Sequence, residues 1–363
     1  MGVAAAIVGQ SSTVTADTSV PAHHPLYMAA IGQSKNPTIQ PPAILLPPVC
    51  APSTAPAPVG GTCVPWNGAP AGQPAMGNMA YFGGHVQVKP KLYVVFWGWG
   101  QAGAFDHTVK GMPASDPDGV GARELAFVKA LGGTAWAGSQ TQYFELLNGK
   151  QVNITNPKNQ FAGVWYDNTN KIHNNVTGLE LAQEAARAVA HFNVKDLKNA
   201  QVIVAQPQMY NEAGYAAGAG YCAWHDYTKN QYYPGVKEGI SFTNMPYVYG
   251  NTSCGPNFVN AGPAGLYDGV TIVLGHEIEE TVTDPGAGDV INGVQYGAWY
   301  DMGGYENGDK CAWVGDGLST SIPGAANNIK GNDGKLYAVQ SLWSNSSAGG
   351  AGYCAGAGND LPF

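Results

Sequence analysis

The stretch that most restricts how this chain can fold is Thr271-Ile272-Val273-Leu274-Gly275-His276-Glu277-Ile278-Glu279-Glu280-Thr281-Val282-Thr283-Asp284-Pro285. Its first half is apolar and its second half carries a histidine and three glutamates. A helix here must therefore enter a core at one end and present ionisable groups at the other. Residues four apart lie one turn apart on a single helical face, so His276 and Glu280 converge on one point. That is the geometry of a metal-binding pair. Asp268 is the expected N-cap and Pro285-Gly286 the stop. Val270, Val273 and Leu274 are expected to pack below, with His276 and Glu280 facing a cleft.

The pattern is a variant of His-Glu-x-x-His, in which two helix residues bind zinc and the intervening glutamate, here Glu277, activates water. A carboxylate replaces the second histidine. It adds negative charge, makes a bound water a weaker acid, and leaves manganese and calcium open beside zinc. A catalytic zinc takes three protein ligands and keeps one position open, so the third ligand must come from elsewhere. Glu306, 26 residues beyond Glu280, is the first candidate. Asp309 is the next, as a ligand to the same ion, a hydrogen-bond partner of a ligand, or part of a structural calcium site. Asp284 and Asp301 are alternatives. His225 is expected to bind the metal or to donate to a substrate oxyanion, and Tyr300 to serve as an oxyanion donor. The plainer roles for these residues are an acidic solvent-facing helix, a turn at Asn307-Gly308-Asp309, a structural histidine and a core tyrosine.

The 363 residues carry a net charge of −8, only 12% of them are charged, and no Lys/Arg cluster exists. Neither nucleic acid nor an anionic membrane is an expected partner. No stretch is apolar and long enough to span a bilayer, so no membrane insertion is expected. Six singly scattered cysteines point to three disulfides in an oxidising compartment and hence to a secreted protein. Nearest-neighbour pairing joins Cys50 to Cys63, Cys222 to Cys254 and Cys311 to Cys354, one of fifteen connectivities that six cysteines allow. There is no Gly-x-Ser-x-Gly nucleophile motif and no phosphate-binding glycine pattern.

Residues 1–75 are rich in proline and alanine and read as an extended arm or propeptide held by a Cys50–Cys63 clasp. Residues 76–363 form the expected folded domain. Strands are expected at 86–88, 91–100, 201–206, 239–242, 245–249 and, to close the domain, 335–344. Helices are expected at 121–131 and 178–192, the second capped by Thr177 with Leu179, Ala182, Ala186 and Val189 on its buried face. Residues 207–266, including Tyr221-Cys222-Ala223-Trp224-His225, read as loop-rich. Helices alternating with strands give an α/β class, with α+β as the other option, and a single domain built on a central mixed sheet.

Several segments together resemble the secreted phosphate-induced, EXORDIUM-like family and its microbial relatives. They are Tyr81-Phe82-Gly83-Gly84, Leu92-Tyr93-Val94-Val95-Phe96-Trp97-Gly98, Tyr221-Cys222-Ala223-Trp224-His225, Gly275-His276-Glu277-Ile278-Glu279-Glu280 with Asp284-Pro285, Ala298-Trp299-Tyr300, Glu306-Asn307-Gly308-Asp309-Lys310-Cys311 and Val339-Gln340-Ser341-Leu342-Trp343. Their order and spacing fit over residues 80–345, which leaves the arm uncovered. The resemblance implies an extracellular, zincin-like domain. Its plant members are associated with cell-wall expansion, and its microbial members look like metallopeptidases. The plant pattern carries asparagine at the position of Asp284 and has no counterpart of Asp301.

The expected protein is thus a secreted zinc hydrolase, foremost an endopeptidase acting on protein or peptide. His276, Glu280 and Glu306 would hold the metal, with Glu277 as general base. The other reading is a non-catalytic extracellular protein with a structural metal. Its aromatic segments, Tyr221 to Trp224 and Tyr232-Tyr233, would then stack on cell-wall polysaccharide.

Overall fold

The computed structural model describes residues 26–29, 77–212, 215, 221–314 and 324–356. Its large sheet is mixed and contains β1 (Leu26–Ala29), β2 (Lys91–Trp97), β3 (Phe161–Asp167), β4 (Ala200–Ala205), β5 (Tyr221–Tyr227) and β6 (Ser241–Met245). In space they run β1-β5-β6-β4-β2-β3. The four strands β3, β2, β4 and β6 are mutually parallel, while β5 runs antiparallel to β6 and carries the short β1 on its other edge. The arm thus contributes a strand: Met28 is fully buried in the core. Cys50, Cys63 and the rest of the proposed arm lie outside the described residues.

Alternation along β2 divides the core in two. Leu92, Val94 and Phe96 face α1 (Val120–Leu131) and α3 (Asp268–Thr283), whereas Val95 and Trp97 face α2 (Gly178–His191). Parallel strands need crossovers, and α1 and α2 supply those after β2 and β3. Thr177 caps α2 as expected, in a full capping box with Glu180. The buried face of α2 centres on Leu181, Ala185 and Ala188, with Leu179 and Ala186 only half-buried, so the expected stripe is rotated.

The helix α3 is buried along its whole length. The sheet covers one side, and the hairpin of Asn327–Lys330 with Leu336–Val339 covers the other, where Thr271 Oγ1 donates to Ala338 O at 2.6 Å. His276 and Glu280 are at most 1% exposed and so do not face the open cleft expected for them. Asp268 does not cap α3. It sits inside the first turn, and its carboxylate accepts from the Val259 and Asn260 amides at 2.7 and 2.6 Å, fixing the preceding loop.

Four other expectations change. The strands expected at 239–242 and 245–249 are a single strand, Ser241–Met245, with residues 246–249 outside it. Residues 86–88 form no strand, because the Gln87 amide is used on Val282 O in the last turn of α3, at 2.9 Å. The stretch 335–344 is not one strand but two, Leu336–Val339 and Leu342–Ser344, which pair in different hairpins and part at Gln340-Ser341. Tyr221–Tyr227, read as loop, is an internal strand of the sheet. Disulfides join Cys222 to Cys254 and Cys311 to Cys354, the nearest-neighbour choice. Among the described residues no helix is long and apolar enough to cross a membrane.

Candidate metal centre

Three elements converge at the C-terminal half of α3. The helix supplies His276, Glu277 and Glu280, β5 supplies His225, and the loop after Trp299–Tyr300 supplies Glu306 and Asp309. On β5 the side chains alternate: Trp224 joins the α2 side of the core, which turns His225 toward α3. His225 Nδ1 lies 3.1 Å from Glu277 Oε2.

Five residues in succession, Asn307-Gly308-Asp309-Lys310-Cys311, dock that loop. The Asn307 side chain donates to Glu279 O at 3.0 Å and to Gln140 Oε1 at 2.7 Å. The Asp309 amide donates to Glu280 Oε1 at 2.8 Å. Lys310 bonds Asp301 at 2.6 Å and lies over the Trp343 ring, and Cys311 is bridged to Cys354. Gly308 must be glycine because a Cβ there would fall 2.7 Å from His276 Nδ1 and 2.9 Å from Glu280 Oε1.

The result is two overlapping groups of ligand atoms, each within 4.8 Å of one another: His276, Glu280 and Asp309, and His225, Glu280 and Glu306. Glu306 therefore stands with His225 rather than with His276, and Asp309 completes the group that contains His276. His276 Nε2 is 3.0 Å from Glu280 Oε1 and 4.0 Å from Asp309 Oδ1, and His225 Nε2 is 3.6 Å from Glu306 Oε1. Two ligands held at about 2.0–2.2 Å on a tetrahedral ion are separated by about 3.4 Å, which these distances bracket.

The tautomers can be read from the partners. Gln340 Nε2 donates to Gly308 O at 2.7 Å, so its Oε1, 3.1 Å from His276 Nδ1, is the acceptor of an Nδ1–H donor. That leaves a lone pair on His276 Nε2. The carboxylate of Glu277 does the same for His225, again leaving Nε2 bare. Among the described residues neither Nε2, nor Glu277 Oε1, nor either oxygen of Glu306 has a partner in hydrogen-bonding geometry, although all are buried and carboxylate oxygens lie close to both imidazoles. Buried polar atoms without partners are rare, and a bound cation is the usual reason for a cluster of them. These groups can hold a metal ion.

The protonation equilibria show the same crowding. Burial pushes Glu277 up and Glu306 well up, and it carries Glu279 to about 8. Burial opposes charge on the imidazoles, yet the neighbouring carboxylates outweigh it: Glu280 raises His276 to about 9, and Glu306 with Glu277 raises His225 well above its usual range.

The remaining candidates stand apart. The Asp284 carboxylate accepts from the Ala298 and Gly288 amides at 2.6 and 3.0 Å, and burial pushes it to about 7. Asp301 pairs with Lys310 and accepts from the Gly303 and Tyr305 amides. The Tyr300 ring stacks on Phe82 with centroids 4.0 Å apart, and its hydroxyl receives the Gln295 amide at 3.1 Å. Trp224 and Tyr233 are buried against Phe242 and offer no exposed face to a sugar. Gln340 and Gly308 were not singled out from sequence. A polar residue interrupting the apolar run 336–343 was the one available sign of Gln340.

The fold and site define a mixed α/β protein with a buried His/Glu/Asp cluster on a core helix. Comparison of the chain with family models, with curated proteins and with solved structures found no match.

Proposed function

We propose that this protein is a secreted, zincin-like zinc hydrolase of the EXORDIUM-like type, foremost an endopeptidase. The observation that carries the reading is the convergence of a buried imidazole nitrogen, His276 Nε2, with the carboxylates of Glu280 and Asp309, all within 4.8 Å of one another. A nitrogen donor favours zinc over calcium, whose ligands are oxygens. His276, Glu280 and Asp309 are the three protein ligands. A zinc ion held there supplies Lewis acidity to a water and to a substrate carbonyl. Glu277 is held by His225 through Oε2, which leaves Oε1 to take a proton from the attacking water and deliver it to the leaving amine. Gln340 keeps His276 in the ligating tautomer. The disulfides fit an extracellular site of action.

The test is metal analysis of the purified protein together with the Glu277→Gln variant assayed on a denatured protein. Zinc content is expected to persist while activity falls about 10²–10⁴-fold. Activity that survives both this substitution and chelation ends the proposal.

One observation favours the second reading, a structural metal in a non-catalytic cell-wall protein. His225, His276, Glu277, Glu280 and Glu306 are all at most 1% exposed, so a substrate reaches them only if a covering segment moves. Retention on insoluble cell-wall polysaccharide without peptidase activity would favour it.

A further inference from the structure

The two ligand groups share Glu280 and nothing else. Its carboxylate is divided between them. Oε1 faces His276 Nε2 at 3.0 Å, Oε2 lies on the side of the His225 ring, 3.7 Å from its Nδ1, and ligand atoms of His225, Glu280 and Glu306 all lie within 4.8 Å of one another. We infer that the cluster is a dinuclear centre in which Glu280 bridges two divalent transition-metal ions, one held with His276 and Asp309 and the other with His225 and Glu306. This rests on the zinc-hydrolase reading, which itself needs only the first ion.

Three observations carry the second site. First, His225 Nδ1 is engaged by Glu277, so the Nε2 that faces Glu306 is a lone-pair donor. An imidazole nitrogen and a carboxylate oxygen buried 3.6 Å apart need positive charge between them, which a proton supplies in the empty site and a metal ion in the loaded one. Second, Glu306 is fully buried with no partner in hydrogen-bonding geometry at either oxygen among the described residues, although its own amide is bonded to Asp309. A carboxylate held only to turn the loop would take amide or side-chain donors, as Asp284 and Asp301 do in the same region. Third, four carboxylates, Glu277, Glu280, Glu306 and Asp309, are buried around two imidazoles, and neither Glu277 nor Glu306 has a lysine or arginine at ion-pair distance among the described residues. One divalent ion offsets half of their charge, and two offset all of it.

The pairing also gives Glu277 a second part. Its Oε2 orients His225 toward the second ion, in the carboxylate–imidazole–metal arrangement that fixes ligand tautomers.

The experiment uses the full chain, stripped with a chelator and titrated with zinc and separately with manganese. Bound zinc is counted by mass spectrometry after gel filtration, and the manganese protein is examined by electron paramagnetic resonance. The expected plateau is two zinc ions per chain, with an exchange-coupled manganese signal. Glu306→Gln is expected to lower the plateau to one and to return the spectrum of an isolated ion. Retention of two ions by Glu306→Gln, or an uncoupled spectrum at full loading, overturns the inference. A plateau of one in the unaltered chain overturns it too while leaving the hydrolase reading in place, and a chain that binds none removes both. If Glu306→Gln does not fold, the stoichiometry and coupling of the unaltered chain decide alone.

Discussion

Helices α2 and α3 lie on opposite faces of one sheet and both bury glutamate, but they neutralise it differently. In α2 the buried Glu184 accepts from Arg187 Nε at 2.7 Å, and that guanidinium in turn lies over Trp97. The counter-charge is part of the chain. In α3 the buried carboxylates face imidazole nitrogens, and no lysine or arginine approaches Glu277 or Glu306 at ion-pair distance among the described residues. A helix with its own cation needs one polar edge, and α2 keeps the amphipathic stripe and capping box of a surface helix. A helix whose cation comes from solution can be enclosed on all sides, as α3 is. The difference separates a structural buried acid from a ligand.

Removing the external cation should break this contrast most strongly. At free zinc about a thousandfold above its Kd the bound ion adds about 4 kcal/mol. Chelation should therefore lower Tm by roughly 5 °C, as differential scanning fluorimetry would record, and re-addition of zinc should restore it. An unchanged Tm would make the α3 cluster as self-sufficient as α2.

Gly308→Ala should act next, by driving a methyl group against His276 and Glu280. We expect a stability loss of about 1–3 kcal/mol from overpacking and zinc affinity lower by about 10–100-fold, measured by urea unfolding and competitive titration. Unchanged affinity would show that the loop and helix are not in the close contact described.

The pH dependence of the two helices should have opposite sign. Burial pushes Glu184 from 4.5 to about 7, against the pull of Arg187. A raised folded-state pKa gives stability that is fully present below about 4.5 and lost as pH rises through about 7. Glu184→Gln should flatten that fall, seen as urea midpoints at acid and neutral pH that draw together. The zinc-dependent increment should instead shrink on acidification, because its ligands bind only when deprotonated.

Thr177→Ala gives the smallest effect, about 1 kcal/mol from the lost cap. Metal content should not change. A loss of zinc in this variant would mean that the two faces of the sheet are coupled.

How far the site was legible follows from where its signals lie along the chain. His276, Glu277 and Glu280 obey a four-residue helical rule, so their convergence needs only one helix. Thr177 was legible as a cap because its partner Glu180 is three residues away. His225 reads as a loop residue because its strand lacks strict alternation: Cys222, Ala223, Trp224, His225 and Asp226 are all buried, and burial on both faces erases the period. Gln340 and Gly308 act through neighbours at sequence separations of 64 and 32 or less, which no local pattern encodes. Asp268 had the right residue type for a cap, yet the loop before it claimed its oxygens.

The sequence by itself determined the metal-type helix, its stop at Pro285 and the mixed α/β class, because each rests on short-range spacing or on composition, whereas the choice of disulfide partners among fifteen connectivities was made by the fold. Only the tertiary structure decided which loop residue joins His276 and which joins His225. Both Glu306 and Asp309 lie within reach of α3 on a loop pinned by Asn307, Lys310 and Cys311. Which carboxylate meets which imidazole depends on the path of that pinned backbone over the helix, a three-dimensional register fixed by contacts from Gln140, Glu279 and Asp301.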